Sequence, residues 1–285
     1  MKRKFFFILS LISSLGIKVG CQGTVSWFTS KEVSSGVYQI DDHKAVNIYL
    51  IIGTDSALVV DTGMGAADLV SQIRKLTEKP LIVVNTHGHS DHTGGNYQFK
   101  KVYIHPADLK AAEESNTPEN RQSAQKNMLR SEKPTDQETF KGTHEKTILV
   151  PVREGHLFNL GGRRIQVIET PGHTPGEICL LDIENKLLFT GDNDNSLVWL
   201  FLPTCNPLHE YLASLVKLVN RISEFTSIFP GHGVPMPSDF IKDQVNCIKG
   251  IINKTLEAKP YESFAGNAMV STWGRASVAF DPKNL

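Results

Sequence analysis

Apolar residues along this chain fall into short runs divided by turn-forming Gly, Pro, Asn and Asp, and that spacing is closer to strands than to helices over most of residues 38–60 and 148–229. Residues 38–60 alternate apolar runs with the turns Asp41-Asp42-His43 and Gly53-Thr54-Asp55, which predicts an antiparallel meander. Residues 64–76 change to helical spacing and stop before Pro80. Strands are predicted at 81–85 and 102–104, with a short helix between them, then at 157–160, 164–168, 177–182, 186–189 and 227–229. Leu208, Leu212, Leu215, Val216 and Val219 form one apolar stripe, so 207–222 reads as an outer helix packed on a sheet. A second such helix is predicted at 240–256, and the tail through Trp273 and Ala276 to Phe280 reads as an edge strand. The whole pattern is α/β. Residues 107–147 interrupt it with a polar stretch rich in Glu, Lys, Gln, Asn and Ser, which predicts an insert of short amphipathic helices.

The ends of the predicted strands carry the chemistry. His87-Gly88-His89-Ser90-Asp91-His92 follows the run Leu81-Ile82-Val83-Val84 and packs imidazoles and a carboxylate into six residues. Those donors suit divalent metals such as zinc, and closely spaced histidines with an aspartate rarely arise from loop composition. Three further candidates stand after strand-like runs in turns rich in Gly or Pro: His173 in Pro171-Gly172-His173-Thr174-Pro175, Asp192 in Thr190-Gly191-Asp192, and His232 in Pro230-Gly231-His232-Gly233. Each alone would read as a solvated turn residue; together with the first motif they predict a metal centre. His43, His105, His144, His156 and His209 lack such company and read as surface residues. Ser90 has no base placed beside it and reads as a loop residue.

The order HxHxDH, His, Asp, His resembles the metallo-β-lactamase superfamily from about Val37 to at least Gly233. The resemblance implies an αββα sandwich, two mixed β-sheets face to face with helices on the outer faces and the metals at one edge. It assigns His87, His89 and His173 to a first zinc, Asp91, His92 and His232 to a second, and Asp192 to a bridging position. Asp61, in Leu58-Val59-Val60-Asp61-Thr62-Gly63, matches an aspartate that supports the ligand loop without binding metal. Two Zn2+ are the implied cofactors, with iron or manganese as alternatives. In this superfamily an insert such as 107–147 often roofs the metal site; a solvated surface excursion is the other reading.

The implied chemistry is hydrolysis. Two bridged zinc ions would lower the pKa of a shared water from ~16 toward ~7, and Asp91 would orient that water and take its proton. The chain is thus expected to be a dinuclear zinc hydrolase acting on a small-molecule ester, lactone, thioester or β-lactam. β-Lactamase proper, an iron-dependent persulfide dioxygenase and a non-enzymatic metal-binding protein are the alternatives. Residues 197–203 read as a loop leading away from the metals, in which Trp199 either walls the substrate or packs in the core.

Lys plus Arg and Asp plus Glu each number 30 in 285 residues, and no basic run occurs beyond Lys2-Arg3-Lys4. This excludes a nucleic-acid partner and points to a small-molecule substrate. The first residues combine that basic cluster with an apolar stretch from Phe5 to Ile17, which predicts a signal peptide over 1–21. Val19-Gly20-Cys21 resembles a bacterial lipobox, so Cys21 is a candidate for lipidation and membrane attachment, with release into the periplasm as the alternative. Residues 22–285 are then expected to form a single domain in an exported protein of the bacterial cell envelope. Cys179, Cys205 and Cys247 show no CxxC spacing and predict no disulfide.

Overall fold

A computed structural model describes residues 26–129, 132–142 and 146–285. The predicted signal segment, Cys21 and His144 lie outside these residues. Strands β1 (Phe28–Ser34), β2 (Val37–Asp42), β3 (Val46–Ile52) and β4 (Ala57–Val60) form the antiparallel meander, and β5 (Leu81–Val84), β6 (Lys101–Ile104) and β7 (Ile148–Pro151) continue the same sheet in parallel. The second half contributes β8 (Leu157–Asn159), β9 (Arg164–Glu169), β10 (Ile178–Asp182), β11 (Leu187–Gly191), β12 (Leu197–Leu200), β13 (Ser227–Pro230) and β14 (Met236–Pro237). All of these but β12 build a second sheet in the order β14-β13-β11-β10-β9-β8.

Both faces of these sheets are covered, which explains the near-continuous apolar runs. In β4, Leu58 and Val60 point into the inter-sheet core, while Ala57 and Val59 point to the outer one. The inter-sheet core brings Tyr49, Ile51 and Val84 against Val167, Leu180, Phe189 and Phe229. Tyr49 is fully buried there, and its hydroxyl donates to the Pro230 carbonyl at 2.7 Å. Helix α1 (Leu69–Arg74) covers the outer face of the first sheet with Leu69 and Ile73. The one-turn α2 (Ser90–Thr93) and the insert helices α3 (Leu109–Ser115) and α4 (Pro118–Met128) follow it in the chain. Helices α5 (Leu208–Asn220) and α6 (Phe240–Ile252) cover the second sheet through Leu215, Leu218, Ile241 and Ile248. The architecture is the αββα sandwich.

Four expectations need correction. Helix α1 starts at Leu69, not at residue 64, because Gly63 and Gly65 hold positive φ angles of 71° and 66°, and the Asp68 side chain caps the helix by accepting from Ser71 N at 2.9 Å. Helix α4 buries none of its residues fully; only Ala124 and Met128 pack against the outer core, so its amphipathic character is weak. Residues 197–200 are strand β12 instead of a loop, and they join β15 (Lys259–Ser263), β16 (Gly266–Trp273) and β17 (Ala276–Phe280) in a third sheet ordered β12-β17-β16-β15. β17 is therefore interior to its sheet, not an edge. Its parallel register with β12, Leu197 opposite Ser277 and Leu200 opposite Phe280, joins segments far apart in sequence, which local patterning does not reveal.

Candidate metal centre

The candidate donors leave the C-terminal ends of strands. β9 and β11 are each antiparallel to β10 and so run the same way, and β13 is parallel to β11. The turns after β9, β11 and β13 thus emerge at one edge, delivering His173, Asp192 and His232. The loop after β5 meets them from the first sheet with His87, His89, Asp91 and His92. Asp91 and His92 lie on the single turn of α2.

Two groups of donor atoms result. His87, His89 and His173 form one; Asp91, His92, Asp192 and His232 form the other, and within each group the atoms lie within 4.8 Å of one another. In the first, His89 Nδ1 lies 3.1 Å from His87 Nε2 and 2.9 Å from His173 Nε2. In the second, Asp192 Oδ1 is 3.4 Å from His92 Nε2, and Asp91 Oδ2 is 3.2 Å from His232 Nε2. Asp192 Oδ2 faces both groups, 3.4 Å from His232 Nε2 and 3.5 Å from His173 Nε2.

The far side of each buried imidazole is held by the protein. His92 Nδ1 donates to Asp61 at 2.8 Å, and the same carboxylate accepts from Thr86 N at 2.7 Å and Thr86 Oγ1 at 2.9 Å. Asp61 sits at φ 64°, a left-handed conformation that aspartate tolerates better than most residues. His173 Nδ1 donates to the Trp199 carbonyl at 2.7 Å, and His87 Nδ1 faces Thr86 Oγ1 at 3.1 Å and Glu177 Oε2 at 3.4 Å. Fixing the outer nitrogen leaves the inner one as a lone pair aimed at the centre.

The donor set fits divalent ions. His92 Nε2 and Asp192 Oδ1 are buried without a hydrogen-bond partner, a costly state unless a ligand satisfies them. Nitrogens on one tetrahedral zinc stand roughly 3.3 Å apart, given Zn–N of about 2.0–2.1 Å, close to the separations in the three-histidine group. Burial, then neighbouring imidazoles, holds His87 well below its ordinary pKa and pushes His89 down to about 3, so both are neutral donors. Burial pushes Asp192 up, but His232 and His92 more than offset it and keep it ionised. Gly231 leaves room for this pairing: a Cβ there would lie 2.5 Å from Asp192 Oδ1 and 2.7 Å from His92 Cε1.

Two supporting residues escaped the sequence reading. Asp108, buried in the insert, accepts from Gly88 N at 2.9 Å, Thr174 Oγ1 at 2.6 Å and Gly176 N at 2.9 Å, stapling the His89 loop to the His173 loop. Glu177 accepts from Asp192 N at 3.1 Å and backs His87. Asp108 carries no sequence signal beyond its turn after His105-Pro106. Glu177 had only its position just after the His173 turn. Among the other histidines, His156 and His209 are exposed as expected, whereas His105 is buried against Glu169 at 2.9 Å and His43 stacks on Trp27 with centroids 4.0 Å apart. Cys205 Sγ faces the Trp199 carbonyl at 3.6 Å and belongs to neither donor group.

A cleft of about 1050 Å³ opens onto His89, Asp91, His173, Asp192 and His232. Its lining includes Ala111, Ser115, Ser123 and Asn127 of α3 and α4, together with Leu197, Trp199 and Leu202. Residues of the insert thus line the cleft.

This constellation on an αββα sandwich defines a metallo-hydrolase. A family model described as the metallo-beta-lactamase superfamily matches residues 41–238, and the chain belongs to that superfamily. It is similar to the acyl-coenzyme A thioesterase MBLAC2 of Homo sapiens, at 30% identity over 73% of this chain and 82% of the relative. It is also similar to the hydroxyacylglutathione hydrolase GloC of Haemophilus influenzae, at 29% identity over 48% of this chain and 60% of the relative. Among solved structures, a metallo-beta-lactamase from Pontibacter korlensis shares the fold with a TM-score of 0.57 and 17% identity, covering 78% of this chain and 99% of its own. The similarity to animal acyl-coenzyme A thioesterases corrects the expectation of an exported protein of the bacterial cell envelope. Among the described residues no helix is long and apolar enough to cross a membrane.

Proposed function

We propose that this protein is a dinuclear zinc hydrolase of acyl thioesters. The observation that carries the reading is the pair of adjoining donor groups, with Asp192 facing both, at the floor of one open cleft. The thioester choice is supported by two relatives whose names denote thioester hydrolases. His87, His89 and His173 would hold one ion, Asp91, His92 and His232 the other, and Asp192 both. When bound, such ions supply Lewis acidity and make a water nucleophilic near neutral pH.

The chain's own residues do the rest. Asp91, a carboxylate at the floor of the cleft, would orient the attacking water and take its proton. Water adds to the carbonyl carbon, the carbon–sulfur bond breaks, and the proton passes from Asp91 to the departing sulfur, giving a carboxylic acid and a thiol. Asp61, the Trp199 carbonyl and Glu177 keep the imidazoles oriented throughout.

The test is a panel of thioester, oxoester, lactone, β-lactam, phosphodiester and persulfide substrates, run on metal-stripped protein reloaded with zinc or with iron. Thioester hydrolysis at about two zinc ions per chain is expected. Persulfide oxidation with iron, or a phosphodiester preference, would overturn the proposal.

A further inference from the structure

The C-terminal hairpin carries a feature that turn chemistry does not explain. Ser263 pairs with Gly266, so β15 and β16 are joined by the two-residue loop Phe264-Ala265. Such loops commonly favour Asn, Asp and Gly because their central residues take positive φ; neither Phe264 nor Ala265 does so, and Gly266, at φ 133°, takes the glycine-favoured conformation instead, so the backbone leaves the choice of phenylalanine free. Here the Ser263 hydroxyl pins the loop, accepting from Ala265 N at 3.1 Å and donating to Gly266 O at 3.0 Å, and Phe264 remains 68% exposed. An exposed phenyl ring on a pinned tip is costly to solubility and contributes nothing to the core.

That ring faces the cleft. Tyr261, Phe264 and Ala265 are part of the cleft lining, contiguous with Leu197, Trp199 and Leu202. The Phe264 and Trp199 centroids are 5.5 Å apart, and Trp199 Nε1 donates to the Tyr261 hydroxyl at 3.1 Å. Trp199 in turn accepts from His173 through its carbonyl, so this aromatic wall begins at a candidate ligand and ends at the hairpin tip. Lys44 is the only lysine or arginine in the lining among the described residues. The wall therefore fits an uncharged apolar group better than a polyanion. The hairpin also lies beyond residue 238, where the family match ends.

We propose that the Trp199–Tyr261–Phe264 wall binds the acyl chain of the substrate and makes the protein selective for longer, apolar acyl groups. This rests on the thioesterase reading for its reaction, but the recognition itself does not depend on which carbonyl bond is broken. The chain would lie along the aromatic faces with its carbonyl at the metal end of the cleft, each fully buried methylene contributing about fourfold.

The experiment compares kcat/KM for acetyl, butyryl, hexanoyl and octanoyl N-acetylcysteamine thioesters, with matching ethyl oxoesters, in the wild type, Phe264→Ala and Phe264→Leu. Calorimetric titration with octanoate and acetate on metal-free protein gives a readout independent of turnover. The octanoyl-to-acetyl ratio is expected to exceed 10 in the wild type, fall at least fivefold in Phe264→Ala, and recover in Phe264→Leu; octanoate binding should follow the same order. A wild-type ratio near one, or an unchanged ratio in Phe264→Ala, overturns the acyl-wall assignment. If oxoesters are hydrolysed with this chain-length preference and thioesters are not, the wall stands and the thioesterase reading falls.

Discussion

Asp61→Asn isolates the orientation of one imidazole from everything else at the centre. The wild-type carboxylate accepts from Thr86 N, Thr86 Oγ1 and His92 Nδ1, at 2.7, 2.9 and 2.8 Å. An asparagine keeps the shape and tolerates the left-handed backbone, but it has one acceptor oxygen where two are used. Either way round, its NH2 meets an N–H: that of Thr86 or that of His92. Metal-free protein can escape by giving up the His92 Nδ1 proton while Nε2 keeps its own against Asp91 and Asp192, so the cost to folding is small, about 1 kcal/mol, or roughly 2–4 °C in Tm. A metal at His92 Nε2 forbids that escape, and a buried donor left unpaired costs about 1–3 kcal/mol. Affinity of the second group should therefore fall about 10- to 100-fold, in line with other disrupted orienting partners, while the three-histidine group keeps its ion. Competition with a chromophoric chelator resolves the two affinities. Two unchanged affinities in a folded variant would refute the argument, and equal losses at both groups would place the effect on the loop and not on His92.

Asp108→Ala leaves Gly88 N, Gly176 N and the Thr174 hydroxyl without their acceptor and should destabilise the protein by about 3 kcal/mol or more while lowering metal content; urea unfolding and metal analysis check both. Gly231→Ala should expel metal from the group containing His92 and Asp192, because its Cβ lies within 2.5 Å of Asp192 Oδ1, and normal occupancy in that variant would be incompatible with the geometry. Burial raises Asp42 to about 6 despite donors from Met64 N and Trp27 Nε1, so the folded state holds its proton more tightly than the unfolded chain. The contribution of Asp42 to stability should fall by up to about 3 kcal/mol as pH rises from about 4 to about 6 and then level off. The Trp27 indole N–H, 2.7 Å from Asp42 Oδ1, should report the titration by NMR, and a midpoint near 4 would contradict it.

The donors were legible because each combines a rare side-chain type with a Gly or Pro turn after an apolar run, a local conjunction. Apart from Asp61, their supports were not, because Asp108 and Glu177 are ordinary residues whose roles exist only once distant loops meet. The α/β pattern followed from the apolar runs and the sandwich from the family resemblance, whereas the third sheet followed from neither: β12 is too short to declare itself, and its partner β17 lies beyond two helices. The start of α1 was misplaced because apolar periodicity continued through Gly63 and Gly65, where the backbone turns. Trp199 was left open between substrate wall and core; it belongs to none of the core clusters, its carbonyl accepts from His173 and its indole lines the cleft.

The candidate centre draws His87, His89, Asp91 and His92 from the first sheet and His173, Asp192 and His232 from the second, so neither half carries a full set for either ion. Ion capture must then follow the meeting of the halves during folding, acting as a latch on a docking event that hydrophobic burial has already brought about. A latch of this kind binds only the assembled form, and at a thousandfold excess over Kd it adds about 4 kcal/mol to that form alone. Released ions would leave the two halves free to part more readily, and the lifetime of the folded molecule, as much as its catalysis, would track the metal supply around it.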